Sequence, residues 1–496
     1  MDFLSFQAKL RPSEEALSDL TSGRAWSYQA LDSFVARLVT WIEEQGVSKG
    51  DRIVCLAKNC AETIAVHIAC GRAGVMFVPL NWRLADEELK QLLNDCEPAL
   101  LVGDSQAERA DMPYTLLDSL SDATASLEPS PLSAENAKAP SLILYTSGTT
   151  GLPKGIVHNE VSVMETAHNL GLLGHVDERS VFLCESPMFH VIGLISCIRP
   201  ALYAGGRVII SDGFEPGRTF ARLSDPALGV THYFCVPQMA NAIRQVPEFD
   251  ASRLTSLKAL LTGGAPHPEV QIRAWLKDGI PIVDGFGMSE TGTVLGMSFD
   301  KAIIDAKAGS VGIATPRVEV RLVGPGDEPV QVGEAGEIQV RGDNLYMDVW
   351  KNRRAYERTF TRDGWFQTGD IGVADEDGYI RIVDRMKDMF ISGGENVYPA
   401  EVEAAALHSS FILECAMIGV PDEKWGEVGC LFVVARGEVS DETGEVIRQE
   451  LATHIAKYKI PKYVRFIDEL PRTGAGKVRK NILKSELLKA FEPTLA

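Results

Sequence analysis

Positive charge is in short supply: 49 Lys and Arg stand against 68 Asp and Glu, leaving a net charge of -19 over 496 residues. A nucleic-acid binder needs a basic face, so that class is excluded. Any anionic substrate must instead meet a locally positive site against the overall field. Long apolar runs are also missing. The most apolar stretch, 63–80, is broken by His67, Gly71, Arg72, Gly74 and Pro79, which is not the pattern of a membrane span. The first residues lack the basic start, apolar core and small-residue cleavage site of a secretory signal, and a cytoplasmic location is expected. The nine cysteines are odd in number and show no C-x-x-C spacing. Most lie in apolar company, as Cys184 and Cys235 do, so free buried thiols in a reducing compartment are expected. The histidines show no metal-ligand spacing.

What is present is ordinary globular material, 45% hydrophobic and 24% charged, in a chain long enough for several structural units. The pattern predicts a helix over 26–45 ending at Gly46, strands over 51–56, 76–80 and 99–102, and helices over 61–71 and 87–96. Strands separated by helices imply parallel sheet with crossover connections. The Ser-, Ala- and Pro-rich segment 120–139 reads as a surface connection into a strand at 142–145. The α/β alternation then runs to about Phe299. From Gly309 to Ile382 short strands separated by Gly, Pro and Asp predict a small all-β subdomain. After Asp384 comes a tail with helices near 399–408, 441–457 and 480–490 and strands near 414–418 and 430–434. The expected fold is therefore α/β: a large N-terminal domain, 1–384, of parallel-type sheets with a β subdomain over about 309–384, and a small mobile α+β C-terminal domain, 388–496.

The densest motif is Tyr145-Thr146-Ser147-Gly148-Thr149-Thr150-Gly151-Leu152-Pro153-Lys154-Gly155. It follows a predicted strand. Gly148, Gly151 and Gly155 allow positive φ and close backbone approach to a ligand. Backbone amides, the hydroxyls of Thr146, Ser147, Thr149 and Thr150, and the Lys154 ammonium suit phosphate oxygens. It is not a Walker A loop, because Pro153 and Lys154 follow Gly151 at the wrong spacing and Gly155 stands where Ser or Thr should.

Further motifs follow in order: Gly263-Gly264-Ala265-Pro266, Asp284-Gly285-Phe286-Gly287-Met288-Ser289-Glu290-Thr291, Thr368-Gly369-Asp370, Asp384-Arg385-Met386-Lys387-Asp388, Ser392-Gly393-Gly394-Glu395-Asn396 and Pro471-Arg472-Thr473-Gly474-Ala475-Gly476-Lys477. With them, nearly the whole chain resembles the adenylate-forming superfamily of acyl-CoA synthetases, peptide-synthetase adenylation domains and firefly-type luciferases. The pattern is most similar to bacterial fatty-acyl and feruloyl-type CoA ligases.

The resemblance implies that a carboxylic acid and ATP form acyl-AMP with release of pyrophosphate, and that coenzyme A then takes the acyl group and AMP leaves. Gly263 to Pro266 match the adenine-side turn, and Asp284 to Ser289 the nucleotide-binding strand, where Phe286 offers a flat face to a purine. Glu290 is a hard oxygen ligand suited to Mg²⁺ on the phosphates, and Thr146 is its implied companion. The Asp370 carboxylate can accept both hydrogen bonds of a ribose diol, and Arg385 supplies a planar donor fork. Lys477, in a Gly-flanked loop, is the implied catalytic cation that steadies growing charge. Lys387 takes the hinge position within 385–387, about which the family's C-terminal domain rotates, and Gly393 and Gly394 belong to a loop beside the thiol's path. His190 matches an aromatic gate of an acyl pocket formed with Val191, Gly193, Phe234, Gly263, Gly285, Met288 and Val294. Lys457, Lys459 and Lys462 read better as a solvated charge run than as a coenzyme A phosphate site. A homodimer is compatible with the pattern, and the assembly is left open. The alternatives are a stand-alone adenylation enzyme loading a carrier protein and, more remotely, a non-enzymatic nucleotide sensor. The chain departs from the family at 344–350, which lacks a Gly-Tyr pair, and that puts the local loop geometry in question.

Overall fold

A computed structural model of the chain describes residues 2–131, 137–146, 153–265, 267–386, 388–392, 395–440, 442–472 and 478–491, with Asn396 and 486–491 described for their backbone alone. Two compact units emerge. The first comprises Met1–His267, Gln271–Glu319 and Val340–Trp365, and the second Pro268–Val270, Val320–Gln339 and Phe366–Ala496.

The first unit is built on two large sheets. In one, strands Arg52–Leu56, Met76–Pro79 and Leu100–Gly103 run parallel, joined by helices Ala61–Ala73 and Asp86–Cys96. Helix Ala61–Ala73 is buried over every residue from Ala61 to Gly71, which is why its sequence shows no polar face. Gly74 ends it at φ 73°, a left-handed position that costs glycine little. The second sheet carries parallel strands Val181–Cys184, Arg207–Ile210, His232–Cys235, Ala259–Thr262 and Ile282–Met288. Their apolar runs suit strands covered on both faces. Strand Glu15–Asp19, unanticipated from sequence, adds in parallel beside Arg207–Ile210.

Local differences have local causes. Trp26 does not begin the first long helix. It lies in strand Ala25–Ser27 opposite Leu17, and the helix runs Tyr28–Glu44 with the Ser27 side chain capping Ala30 N. The helix expected over 441–457 spans only Thr443–Leu451.

Strands Glu319–Val323, Ala335–Arg341, Phe366–Ala374 and Ile380–Arg385, lying mostly in the second unit, form a four-stranded sheet, while the intervening Val340–Trp365 clusters with the first unit and includes helix Arg353–Glu357. Another sheet contains Phe390–Ser392, Glu395–Val397, Ile412–Asp422, Gly426–Ala435 and Tyr463–Phe466. Helices Pro399–Ala406 and Thr443–Leu451 place Val402, Ala406, Ile447 and Leu451 in one core with Phe390, Met417, Leu431 and Val433. All nine cysteines are free. Burial pushes the Cys55 thiol up to about 12, far from a reactive thiolate. Among the described residues, no helix is long and apolar enough to cross a membrane.

Candidate active site

In the second sheet of the first unit, strands 181–184, 232–235, 259–262 and 282–288 are parallel, so their carboxyl ends open on one edge, where α/β sheets take ligands. Beyond Thr262 the chain turns at Gly263, Gly264 and Ala265; Pro266 lies outside the described residues. Gly264 holds φ at 82°. A Cβ there would be strained and only 3.4 Å from Ile192 Cδ1. A Cβ on Gly263 would lie 3.1 Å from the Gly285 carbonyl oxygen and 3.7 Å from the Phe234 ring. The absence of side chains thus brings Phe234, Gly263 and Gly285 together.

Strand 282–288 folds back on Gly292–Gly296 with a bulge at Phe286/Gly287. The return strand comes so close that a Cβ on Gly287 would be 2.1 Å from the Gly292 carbonyl oxygen. Phe286, Met288, Ser289 and Glu290 are half-buried on this hairpin. Asp284 is buried. Its Oδ1 accepts from the Thr262 hydroxyl at 3.0 Å and from Gly285 N at 3.1 Å, and desolvation pushes its carboxyl up to about 7. The Thr262 hydroxyl also meets His267 Nδ1 at 3.2 Å.

The residues expected on the acyl side, His190, Val191 and Gly193, follow strand 181–184. His190 and Val191 are half-buried, and the His190 ring meets Phe189 edge-on at 4.6 Å. This turn is held from the other sheet by a residue the sequence did not single out. Asn59 donates from Nδ2 to the Ser186 carbonyl at 2.9 Å and accepts from Met188 N at 3.0 Å. Gly193 is buried, and its Cβ would lie 2.2 Å from the Pro187 carbonyl oxygen. It lets the chain pack on that turn, and Val294 is fully enclosed. Packing explains both residues without a ligand.

The glycine-rich run connects two antiparallel strands of the first sheet, Pro140–Thr146 and Lys154–Asn159, with Thr146 opposite Lys154. Ser147, Gly148, Thr149, Thr150 and Gly151 lie outside the described residues. Lys154 is exposed and Thr146 half-buried. Gly155 has a different reason from the one its motif suggested. A Cβ there would sit 2.9 Å from both Ile143 Cγ2 and Trp350 Cβ, so it makes room for packing.

The turn bearing Glu290 is fixed from three directions. His158 Nε2 lies 2.7 Å from the Ser289 carbonyl oxygen. Tyr346 N donates to the Glu290 carbonyl at 2.8 Å, and Asn344 Nδ2 to that of Thr291 at 2.7 Å. The segment that departs from the family pattern therefore supports the motif through Asn344 and Tyr346. Glu290 and Thr146 offer hard oxygens. Mg²⁺ is commonly held by one or two protein oxygens with phosphates and water completing the shell, so this donor set fits magnesium on ATP. No cluster of three His, Cys, Asp or Glu able to hold a metal occurs among the described residues.

In the second unit, Asp370 and Arg385 face each other across paired strands. Arg385 Nε lies 3.0 Å from Asp370 Oδ1, and Asp370 is buried. Gly369 turns the chain there at φ 69°. Lys387, Gly393, Gly394 and Lys477 lie outside the described residues. The base of the Lys477 loop is closed by a bridge between Arg472 and Val478. Lys459 makes an ion pair with Glu401 and Lys462 with Asp422, each at 2.6 Å. Those acids occupy the two lysines and favour the charge-run reading.

Residues 4–350 match the family described as AMP-binding enzyme, and 401–477 match the AMP-binding enzyme C-terminal domain. The feruloyl-CoA synthase of Amycolatopsis sp is 38% identical over 498 residues, covering 97% of each chain. A long-chain-fatty-acid–CoA ligase of Mycobacterium tuberculosis is 34% identical with the same coverage. The o-succinylbenzoate CoA synthetase of Bacillus subtilis, solved with its acyl-adenylate intermediate, superposes with a TM-score of 0.85 at 29% identity, covering 97% of each chain. Motifs, fold and relatives converge: the chain belongs to the AMP-binding, adenylate-forming enzyme family, and within it is an AMP-forming acid–thiol ligase that joins a carboxylic acid to coenzyme A using ATP and Mg²⁺.

Proposed function

We propose that the acid is a monocarboxylate with an apolar tail, aryl or fatty. The observation that carries this is the company of the Gly263–Gly264 turn. The positions where side chains would stand meet the Phe234 ring at 3.7 Å, Ile192 Cδ1 at 3.4 Å and Val236 Cγ1 at 3.8 Å, with the uncharged Gly285 carbonyl oxygen at 3.1 Å as the polar neighbour. These neighbours offer dispersion contacts and no charge to a second carboxylate. The feruloyl and long-chain-fatty-acid relatives support the same class.

The residue roles form part of the proposal. Thr146 and Glu290 hold magnesium on the ATP phosphates, and the hydroxyls and amides of 146–151 with Lys154 hold the departing pyrophosphate. Phe286 lies against the purine, and Asp370 and Arg385 take the ribose. The carboxylate oxygen attacks the α-phosphorus in line, the bond to pyrophosphate breaks, and Lys477 steadies the charge on the reacting oxygens. In the second step the coenzyme A thiolate attacks the acyl carbonyl, a thioester forms and AMP leaves. His190 gates the acyl side. Functionally the chain divides at 384, with the hinge at 385–387 and Lys387 within it. We assign the reaction to the cytoplasm, and light scattering tests a homodimer.

Pyrophosphate release measured over fatty, aryl and dicarboxylic acids tests the acid class. Aryl or fatty monocarboxylates should lead. A dicarboxylate preferred over both would overturn the apolar reading.

A further inference from the structure

His158 sits on strand Lys154–Asn159, which begins where the phosphate hairpin ends. Its imidazole is buried, with Nε2 2.7 Å from the Ser289 carbonyl oxygen and Nδ1 3.0 Å from Ser162 Oγ. A carbonyl only accepts, so Nε2 carries the proton and donates. In the neutral ring Nδ1 is then an acceptor beside the Ser162 hydroxyl, whose single proton lies between Nδ1 at 3.0 Å and the Asn159 carbonyl oxygen at 3.1 Å. Ser162 is fixed in turn, because its backbone N–H donates to Asn159 Oδ1 at 2.9 Å in the first turn of helix Glu160–Leu173. A continuous path therefore runs from a helix N-terminus through Ser162 and His158 to the peptide preceding Glu290. The far side of the turn has no latitude: a Cβ on Gly292 would stand 1.8 Å from Thr166 Oγ1.

We propose that His158 is a positioning residue for the nucleotide's metal. It locks the Ser289–Glu290 peptide to the strand leaving the phosphate hairpin, so that the Glu290 carboxylate and the phosphate-binding segment keep one register. This rests on the reading of Glu290 as the magnesium-side carboxylate. Partners that orient a metal ligand without touching the metal typically change affinity or activity about 10–100-fold when removed.

The test uses the full chain and His158→Leu, His158→Gln, Ser162→Ala and Glu290→Gln. The first readout is the Mg²⁺ concentration at half of the ATP-induced rise in Tm, which reports binding without turnover. The second is KM for the acid in ATP–pyrophosphate exchange. His158→Leu should raise the Mg²⁺ midpoint about tenfold or more and leave KM for the acid within about twofold. Ser162→Ala should raise the midpoint by less. His158→Gln, whose amide nitrogen reaches the Nε2 position, should restore it to within about threefold of the parent. An unmoved midpoint in His158→Leu overturns the proposal, as does an equal shift in acid KM. Should His158→Leu fail to fold, Ser162→Ala decides by the same criterion. An unmoved midpoint in Glu290→Gln instead refutes the metal assignment itself and removes the proposal with it.

Discussion

Each cation in the proposed chemistry has a different task. Lys154 follows the hydroxyl-rich run and is exposed, placed to meet a polyanion. Arg385 is already engaged by Asp370 at 3.0 Å, a pairing that orients a guanidinium fork and a carboxylate together. Lys477 is assigned the charge that develops on the α-phosphate oxygens. Lys477→Ala should therefore reduce acid-dependent ATP–pyrophosphate exchange by roughly 10²–10³ or more, the scale of a lost transition-state donor. Thioester formation from supplied acyl-AMP should largely survive. Equal loss of both half-reactions would exclude the assignment. Glu290, Asp370, Arg385 and Lys477 could be nominated from sequence because each lies inside a contiguous motif. Asn59, His158 and Asn344 could not, because they act by distance in space. The His158–Ser289 contact joins residues 131 apart and the Asn59–Ser186 contact residues 127 apart, and no local pattern marks either.

Elements were legible where burial follows a period, and illegible where a partner strand or a cap decides. The parallel strands at 52–56, 76–79 and 100–103 announce themselves as apolar runs between helices. Glu15–Asp19 is a strand because Arg207–Ile210 offers it an edge, which its own residues do not state. The turn 186–190 shows how one element disciplines another. Asn59, just beyond strand Arg52–Leu56, satisfies one buried acceptor and one donor on that turn. Asn59→Ala leaves both without their partner, at about 1–3 kcal/mol per buried group. Urea unfolding should register a loss in that range or above. The preferred acid should lose kcat/KM while KM for ATP holds, because the turn leads to His190 and not to the phosphate hairpin. A variant with full acid selectivity and only a lower midpoint would reduce Asn59 to a structural residue.

For the whole molecule, buried titratable groups set the pH range in which the fold is strongest. Burial depresses His67 well below its ordinary value, His232 to about 4 and His267 to about 3. These rings are neutral in the fold and become protonated in the unfolded chain below about 6.5. Below that pH the unfolded state binds more protons, so stability is fully present above about 6.5 and is lost as pH falls toward about 4. Asp284 acts with the opposite sign. Its folded value of about 7 lies above the ordinary 3.8, so its contribution is present at low pH and is lost as pH rises through about 7. Asp384, raised to about 6 by burial, works in the same direction as Asp284. His158, held down to about 4 by burial, joins these three histidines, while burial also raises the carboxyls of Glu62 and Glu185, so histidine and carboxyl contributions oppose each other between about pH 4.5 and 6.5. Asp284→Asn separates the two contributions. It removes the group whose ionisation opposes folding at high pH, so its stability relative to the parent should be more favourable at pH 8 than at pH 5. A difference of the other sign, or none, would mean that the Thr262 hydroxyl and the Gly285 amide hold the Asp284 carboxylate ionised throughout.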